Sequence, residues 1–137
     1  AGSYLPNKGN VFLSIDDDNK DKLIPIAKKL SLLKFKLIAT KGTCEFLKKN
    51  NLIVSVINKV KEGSPHIVDY LLSGKINLVI NTTKTQHSIR DSYSIRRTSL
   101  MINIPYYTTM AGAKVAVDAI EILKKNRLTI RSLQSIN

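Results

Sequence analysis

The chain has 137 residues, 43% of them apolar, which suits one globular domain with a single sizeable core and excludes a disordered segment. Its 22 Lys+Arg stand against 10 Asp+Glu, a formal charge of +12, so nucleic acid, an anionic small molecule and simple solubility all stay open on charge alone. The single Cys44 excludes an internal disulfide. No apolar run is long enough for a bilayer and the first residues lack a leader's basic-then-apolar layout, so a soluble cytoplasmic protein is predicted.

Residues 1–9, AGSYLPNKG, read as a linker from a preceding domain, and 10–137 as one domain. VFLSI at 11–15 has the form of a buried strand. Apolar positions 23, 26, 27, 30 and 33 then mark one face of a helix. That helix is expected to begin late, near Asp21, with Pro25 in its first turn or bending it. KLIAT at 36–40 predicts the second strand, with TCEFLKKNN opening the second helix. SVIN at 55–58 predicts a third strand, and Gly63-Ser64-Pro65 a loop before a short helix ended by Gly74. INLVIN at 76–81 is a fourth strand, and SIRDSYSIRRTSLMI a polar-faced helix. IPYY at 104–107 is a short fifth strand, and TMAGAKVAVDAIEILKK a last helix. The tail LTIRSLQSIN reads as an added edge strand. Strands alternating with helices predict an α/β fold. The expected form is a Rossmann-like three-layer sandwich around a five-stranded, mainly parallel sheet.

In such sheets ligands bind beyond the carboxyl ends of the strands. Here those ends carry Ser14, with Lys20 just beyond; Thr40-Lys41-Gly42-Thr43; Asn58-Lys59; Asn81-Thr82-Thr83; and Thr108-Thr109. Hydroxyls, amides and ammoniums converge, with few acids. A phosphate fits that edge. Gly42 lets the backbone approach, Thr40 and Thr43 offer hydroxyls, Lys20 and Lys59 supply charge, and the next helix presents N–H groups at its positive end. Taken alone, Thr-Lys-Gly-Thr also reads as an ordinary strand-to-helix turn with a threonine cap, and it is not a P-loop. Asp16-Asp17-Asp18 reads as helix-start acids, with a metal as the alternative. Asp69 and Asp91 read as solvated or arginine-paired acids. His66 and His87 have no partner at metal-ligand spacing, and no hydrolase elbow is present, so neither a metal site nor a catalytic constellation is predicted. The lysine pairs lack aromatic interleaving, zinc-finger spacing and RNA-recognition signatures, which argues against nucleic acid.

GNVFLSI, DKLIPIAKKL, FKLIATKGT, VINKVKEGSPHIVDYLLSGKINLVINTT, IRDSYSIRRTSL and YYTTMAGAKVAVDAI together resemble the C-terminal regulatory, methylglyoxal-synthase-like domain of bacterial carbamoyl phosphate synthetase large chains. The resemblance runs from about Gly9 to the end. It implies two synthetase halves upstream, a small glutaminase chain, and a parent ligase. That ligase makes carbamoyl phosphate from bicarbonate, glutamine and ATP, with Mg (or Mn) and K, for pyrimidine and arginine synthesis. This domain would hold no cofactor and would catalyse nothing itself. It implies UMP as inhibitor, IMP as activator, and ornithine as a further activator. By the resemblance the nucleotide site uses Lys20, Thr40, Thr43, Lys59, Asn81 and Thr83, with Ser14 and Ser92 nearby; Ser92 comes from it alone, and Gly42 joins the site from its place in the turn. Tyr106 and Thr108 match the ornithine contribution, a site completed by the preceding domain.

Three departures bear on this. The loop before Lys20 is DDDN, more acidic than the family's Arg/Glu/Gly character. Lys84 and Gln86 replace a Gly/Arg-rich stretch. TKGT differs from the Thr-Glu-Ala-Thr type loop of the N-acetylglutamate-binding mammalian synthetase, which favours a nucleotide here. The enzyme alternative, a free-standing methylglyoxal synthase acting on dihydroxyacetone phosphate, needs a carboxylate base near the position of Ser64. A nucleic-acid binder is the third class, and it predicts steep salt dependence.

Overall fold

The computed structural model describes residues 5–82 and 86–136, with the side chains of 61, 86–91 and 128–136 left out. The described elements are β1 (Asn10–Ser14), α1 (Lys20–Leu32), β2 (Lys36–Ala39), α2 (Lys41–Lys49), β3 (Val54–Val56), α3 (Ile67–Leu72), β4 (Leu78–Asn81), α4 (Gln86–Met101), β5 (Tyr106–Tyr107) and α5 (Met110–Ile136). All sheet pairings are parallel, in the order β3-β2-β1-β4-β5. The predicted α/β class and five-stranded parallel sheet are present.

Alternation along the central strands builds two apolar layers. Val11 and Leu13 of β1, Leu37 and Ala39 of β2, and Leu78 and Ile80 of β4 face one side. They pack with Leu23, Ala27 and Leu30 of α1, Cys44 and Leu47 of α2, and Ala113, Val117 and Ile120 of α5. Phe12, Ile38 and Val79 face the other side and meet Ile67 and Leu71 of α3 and Ile95 of α4. Cys44 is therefore a core residue, its Sγ 3.8 Å from the Val54 carbonyl. A strand buried on both faces must be apolar at every position, which explains the continuous runs VFL and LVI. Burying each such large side chain contributes about 1.5–3 kcal/mol.

Three local expectations change. α1 starts at Lys20, within one residue of the expected Asp21 and after a 3-10 turn at Asp17–Asn19, but Pro25 lies in its second turn, not its first. Pro25 is exposed, and the Asp21 carbonyl that loses its helical partner can turn to water. β3 is shorter than expected and ends at Val56, with Asn58 forming only an isolated bridge to His66. The tail continues α5 to Ile136 and adds no edge strand. From Lys114 to Ile136 there is neither Gly nor Pro. Extending a nucleated helix gains one backbone bond per residue, and this outweighs the β-branched Thr129 and Ile130. Gly74 ends α3 in the left-handed region, as expected, with φ +76°.

The sheet reverses direction of growth between β1 and β4. The chain winds outward from β1 to β3, then crosses to β4 and β5 on the other side. The strand ends flanking this switch form the crevice where ligands bind in open α/β sheets.

Candidate functional site

Register brings the predicted polar residues to one edge. Ser14 pairs with Asn81 across β1 and β4. Leu13 pairs with Ala39, and its carbonyl accepts the Thr40 N–H at 3.3 Å, so Thr40 lies at the same level. Ser14, Thr40, Thr43, Asn81 and Thr82 are all buried. Buried polar groups need partners, and most of these find one within the edge. Thr43 Oγ1 accepts the Ile15 N–H at 3.0 Å. Thr40 Oγ1 donates a long bond, 3.4 Å, to Ser14 Oγ. Asn81 Nδ2 donates to Ser92 Oγ and to the Tyr106 hydroxyl, 3.0 Å each.

Thr40 has the backbone of an N-cap, and its carbonyl accepts the Cys44 N–H at 2.8 Å. Its hydroxyl makes no capping bond. The cap reading of Thr-Lys-Gly-Thr therefore holds for the backbone but not for the side chain, which is aimed at β1. The first N–H groups of α2 thus lack the usual hydroxyl acceptor and sit at the helix's positive end. Lys20 lies against this turn. Its ammonium is 3.7 Å from where a Cβ on Gly42 would stand. Lys20 also meets Asp17 Oδ1 at 2.5 Å.

Asp16, read from the sequence as a helix-start acid, also belongs to the edge. Thr82 Oγ1 accepts the Asp16 N–H at 3.1 Å and donates to the Asp16 carboxylate. Asn19 Nδ2 donates to the same carboxylate at 2.8 Å. Asp16 is thus a fixed acid at the switch point, not merely a helix-start charge, and the edge is less free of acids than its sequence suggests. Its position directly after the first strand was the available signal.

The remaining candidates are less gathered. Lys59 follows β3, where its N–H bonds Glu62 Oε1 at 2.7 Å. Among the described residues its ammonium makes no ion pair. Tyr106 lies in β5, and burial pushes its phenol above the ordinary 10.0 while the Asn81 bond and the Arg96 charge pull it back. Thr108 is exposed in the turn before α5. Thr83 and Lys84 lie outside the described residues, as do the side chains of His87 and Asp91. Among the described residues Asp69 meets no arginine, and its side chain is partly exposed. It closes a capping box on α3, and the His66 N–H, then the Ser64 hydroxyl, hold its carboxyl below the usual 3.8. Among the described residues no group of three His, Cys, Asp or Glu could hold a metal, and no helix is long and apolar enough to cross a membrane.

A separate cavity of about 380 Å³ opens between α1 and α5, lined by Pro25, Ile26, Met110 and Val117 with Lys22, Lys29 and Lys114 at its rim. It holds none of the residues that the strand ends supply. Asp118, which also lines it, is bonded by Lys29 at 2.7 Å and Lys114 at 3.0 Å. These two bonds hold its carboxyl below 3.8.

Comparison with known proteins places the chain in a family. It is 47% identical over 98% of its length to the carbamoyl phosphate synthase large chain of Rhizobium meliloti, and 46% identical over 98% to that of Myxococcus xanthus. It is 44% identical over 100% to the C-terminal section of the large chain of Methanopyrus kandleri. The chain spans only 12% of the first two relatives and 26% of the third. A family model described as an MGS-like domain matches residues 22–108, and with this fold and these whole-chain likenesses the chain belongs to the MGS-like domain family.

Proposed function

We propose that the chain is the regulatory domain of a carbamoyl phosphate synthetase large chain and binds a nucleoside monophosphate in the crevice at the β1–β4 switch. Residues 10–137 form this domain and 1–9 lead into it. The observation that carries the reading is the polar edge itself. Ser14, Thr40, Thr43 and Asn81 converge there, with the Lys20 ammonium over the first turn of α2. Hydroxyl donors, helix N–H groups and an ammonium suit a dianionic phosphate. Lys59, Thr83 and Ser92 complete the proposed site, and Tyr106 and Thr108 form this domain's share of an ornithine site. UMP as inhibitor and IMP as activator are the proposed nucleotides. The synthetase halves, the glutaminase chain and ATP with its metal ions belong to the parent, and effector binding acts on them by favouring one of its arrangements. The chain itself is non-catalytic.

Calorimetric titration at fixed salt with UMP, IMP, ornithine and N-acetylglutamate tests the reading. UMP or IMP should bind with 1:1 stoichiometry. Lys59→Ala should weaken that binding about tenfold or more, the value of one charge-assisted bond. Lys49→Ala, on an exposed helix face, is the matched control and should leave it unchanged. Absence of nucleotide binding would overturn the proposal. Methylglyoxal formed from dihydroxyacetone phosphate would instead favour the synthase reading.

A further inference from the structure

We infer that Asp17 sets the affinity of this crevice by occupying Lys20, so that an incoming phosphate must first displace the chain's own carboxylate. The inference rests on the nucleotide reading above. The Lys20 ammonium stands between two claims. Asp17 Oδ1 is 2.5 Å away, and the first turn of α2 is also close, marked by the 3.7 Å approach to the Cβ position of Gly42. Lys20 is Asp17's one side-chain partner among the described residues.

The two partners are unequally held. The Asp17 side chain is 92% exposed, whereas that of Lys20 is 19% exposed. Asp17 can swing into water and be solvated at once. Lys20, largely buried, lies beside the first turn of α2, where a phosphate would need it. An ion pair with one partner this exposed is weak enough for a ligand to break and strong enough to measure. Asp16 is a different case. Thr82 and Asn19 both donate to its carboxylate and hold it in place. Asp18 provides a comparison within the same turn. It carries the same charge and is exposed, but makes no ion pair with Lys20.

Titration of the 137-residue chain with UMP tests this, using wild type, Asp17→Asn, Asp18→Asn, Lys20→Ala and the Asp17→Asn/Lys20→Ala double variant. Asp17→Asn should tighten UMP binding about 1.5- to fivefold, the fold-change equivalent of one exposed ion pair. Asp18→Asn should change it less, through screened long-range charge only. The gain from Asp17→Asn should vanish in the Lys20→Ala background. Equal effects of Asp17→Asn and Asp18→Asn, or a gain that survives without Lys20, would overturn the competition and leave the nucleotide site standing. If wild type and every variant fail to bind UMP, the nucleotide reading falls and this inference falls with it.

Discussion

Thr43 illustrates how one hydroxyl can serve fold and site together. Its side chain is 2% exposed, and Oγ1 accepts the Ile15 N–H at 3.0 Å. That bond ties the first turn of α2 to the segment leaving β1. Thr43→Val keeps the shape but strands a buried N–H, which should cost about 1–3 kcal/mol in urea or thermal unfolding. Thr43→Ser keeps the acceptor and should cost less. A larger loss for Thr43→Ser than for Thr43→Val would mean that the methyl group, not the hydroxyl, matters. That a threonine belonged at this strand end was legible from its place after a buried run. Which atom it would bond was not, because Ile15 lies 28 residues away and meets Thr43 only through sheet register.

At the scale of elements, the entry to β1 carries more constraint than a linker would. Gly9 has φ +119°, and a Cβ there would stand 2.0 Å from Asn77 Oδ1. The Gly9 carbonyl accepts the Lys36 N–H at 3.0 Å, while Asn10 N–H donates to Asn77 Oδ1 at 2.9 Å. One backbone turn thus locks the starts of β1, β2 and β4. Gly9→Ala should destabilise the chain by more than about 1 kcal/mol, read as a lowered unfolding midpoint. Gly63→Ala is a comparison free of steric clash, because nothing lies within 4 Å of a Cβ there, although φ +96° strains it too. A larger loss at Gly63 would show that backbone strain, not the contact with Asn77, dominates. Composition marked Gly9 as loop material, since no local pattern reveals a neighbour 68 residues away.

Across the whole molecule, Asn81 joins the two proposed ligand sites. Its amide donates to Ser92 on α4 and to the Tyr106 hydroxyl on β5, and its own strand pairs with β1. Tyr106→Phe should therefore weaken UMP binding about two- to tenfold by titration, the value of one neutral hydrogen bond, although Tyr106 belongs to the other proposed site. Thr108→Ala, exposed and past the end of β5, should leave UMP binding unchanged. A reversed ranking would overturn the link through Asn81 and Tyr106.

The sequence by itself determined the alternation of strands and helices, the two-sided burial of the central strands and the polar character of their carboxyl ends. These follow from side-chain periodicity, which is local. It also carried the family resemblance, in segments spread over nearly the whole chain. Tertiary structure alone decided the strand order and so the switch between β1 and β4. It also turned the Thr40 hydroxyl toward Ser14 instead of the helix end, and set Asp16 against Thr82. The tail was settled by continuation of α5, where helix propagation outweighed β-branched residues. The strand order and the contacts of Thr40 and Asp16 depend on which distant segments share a register, and no window of neighbouring residues contains that information.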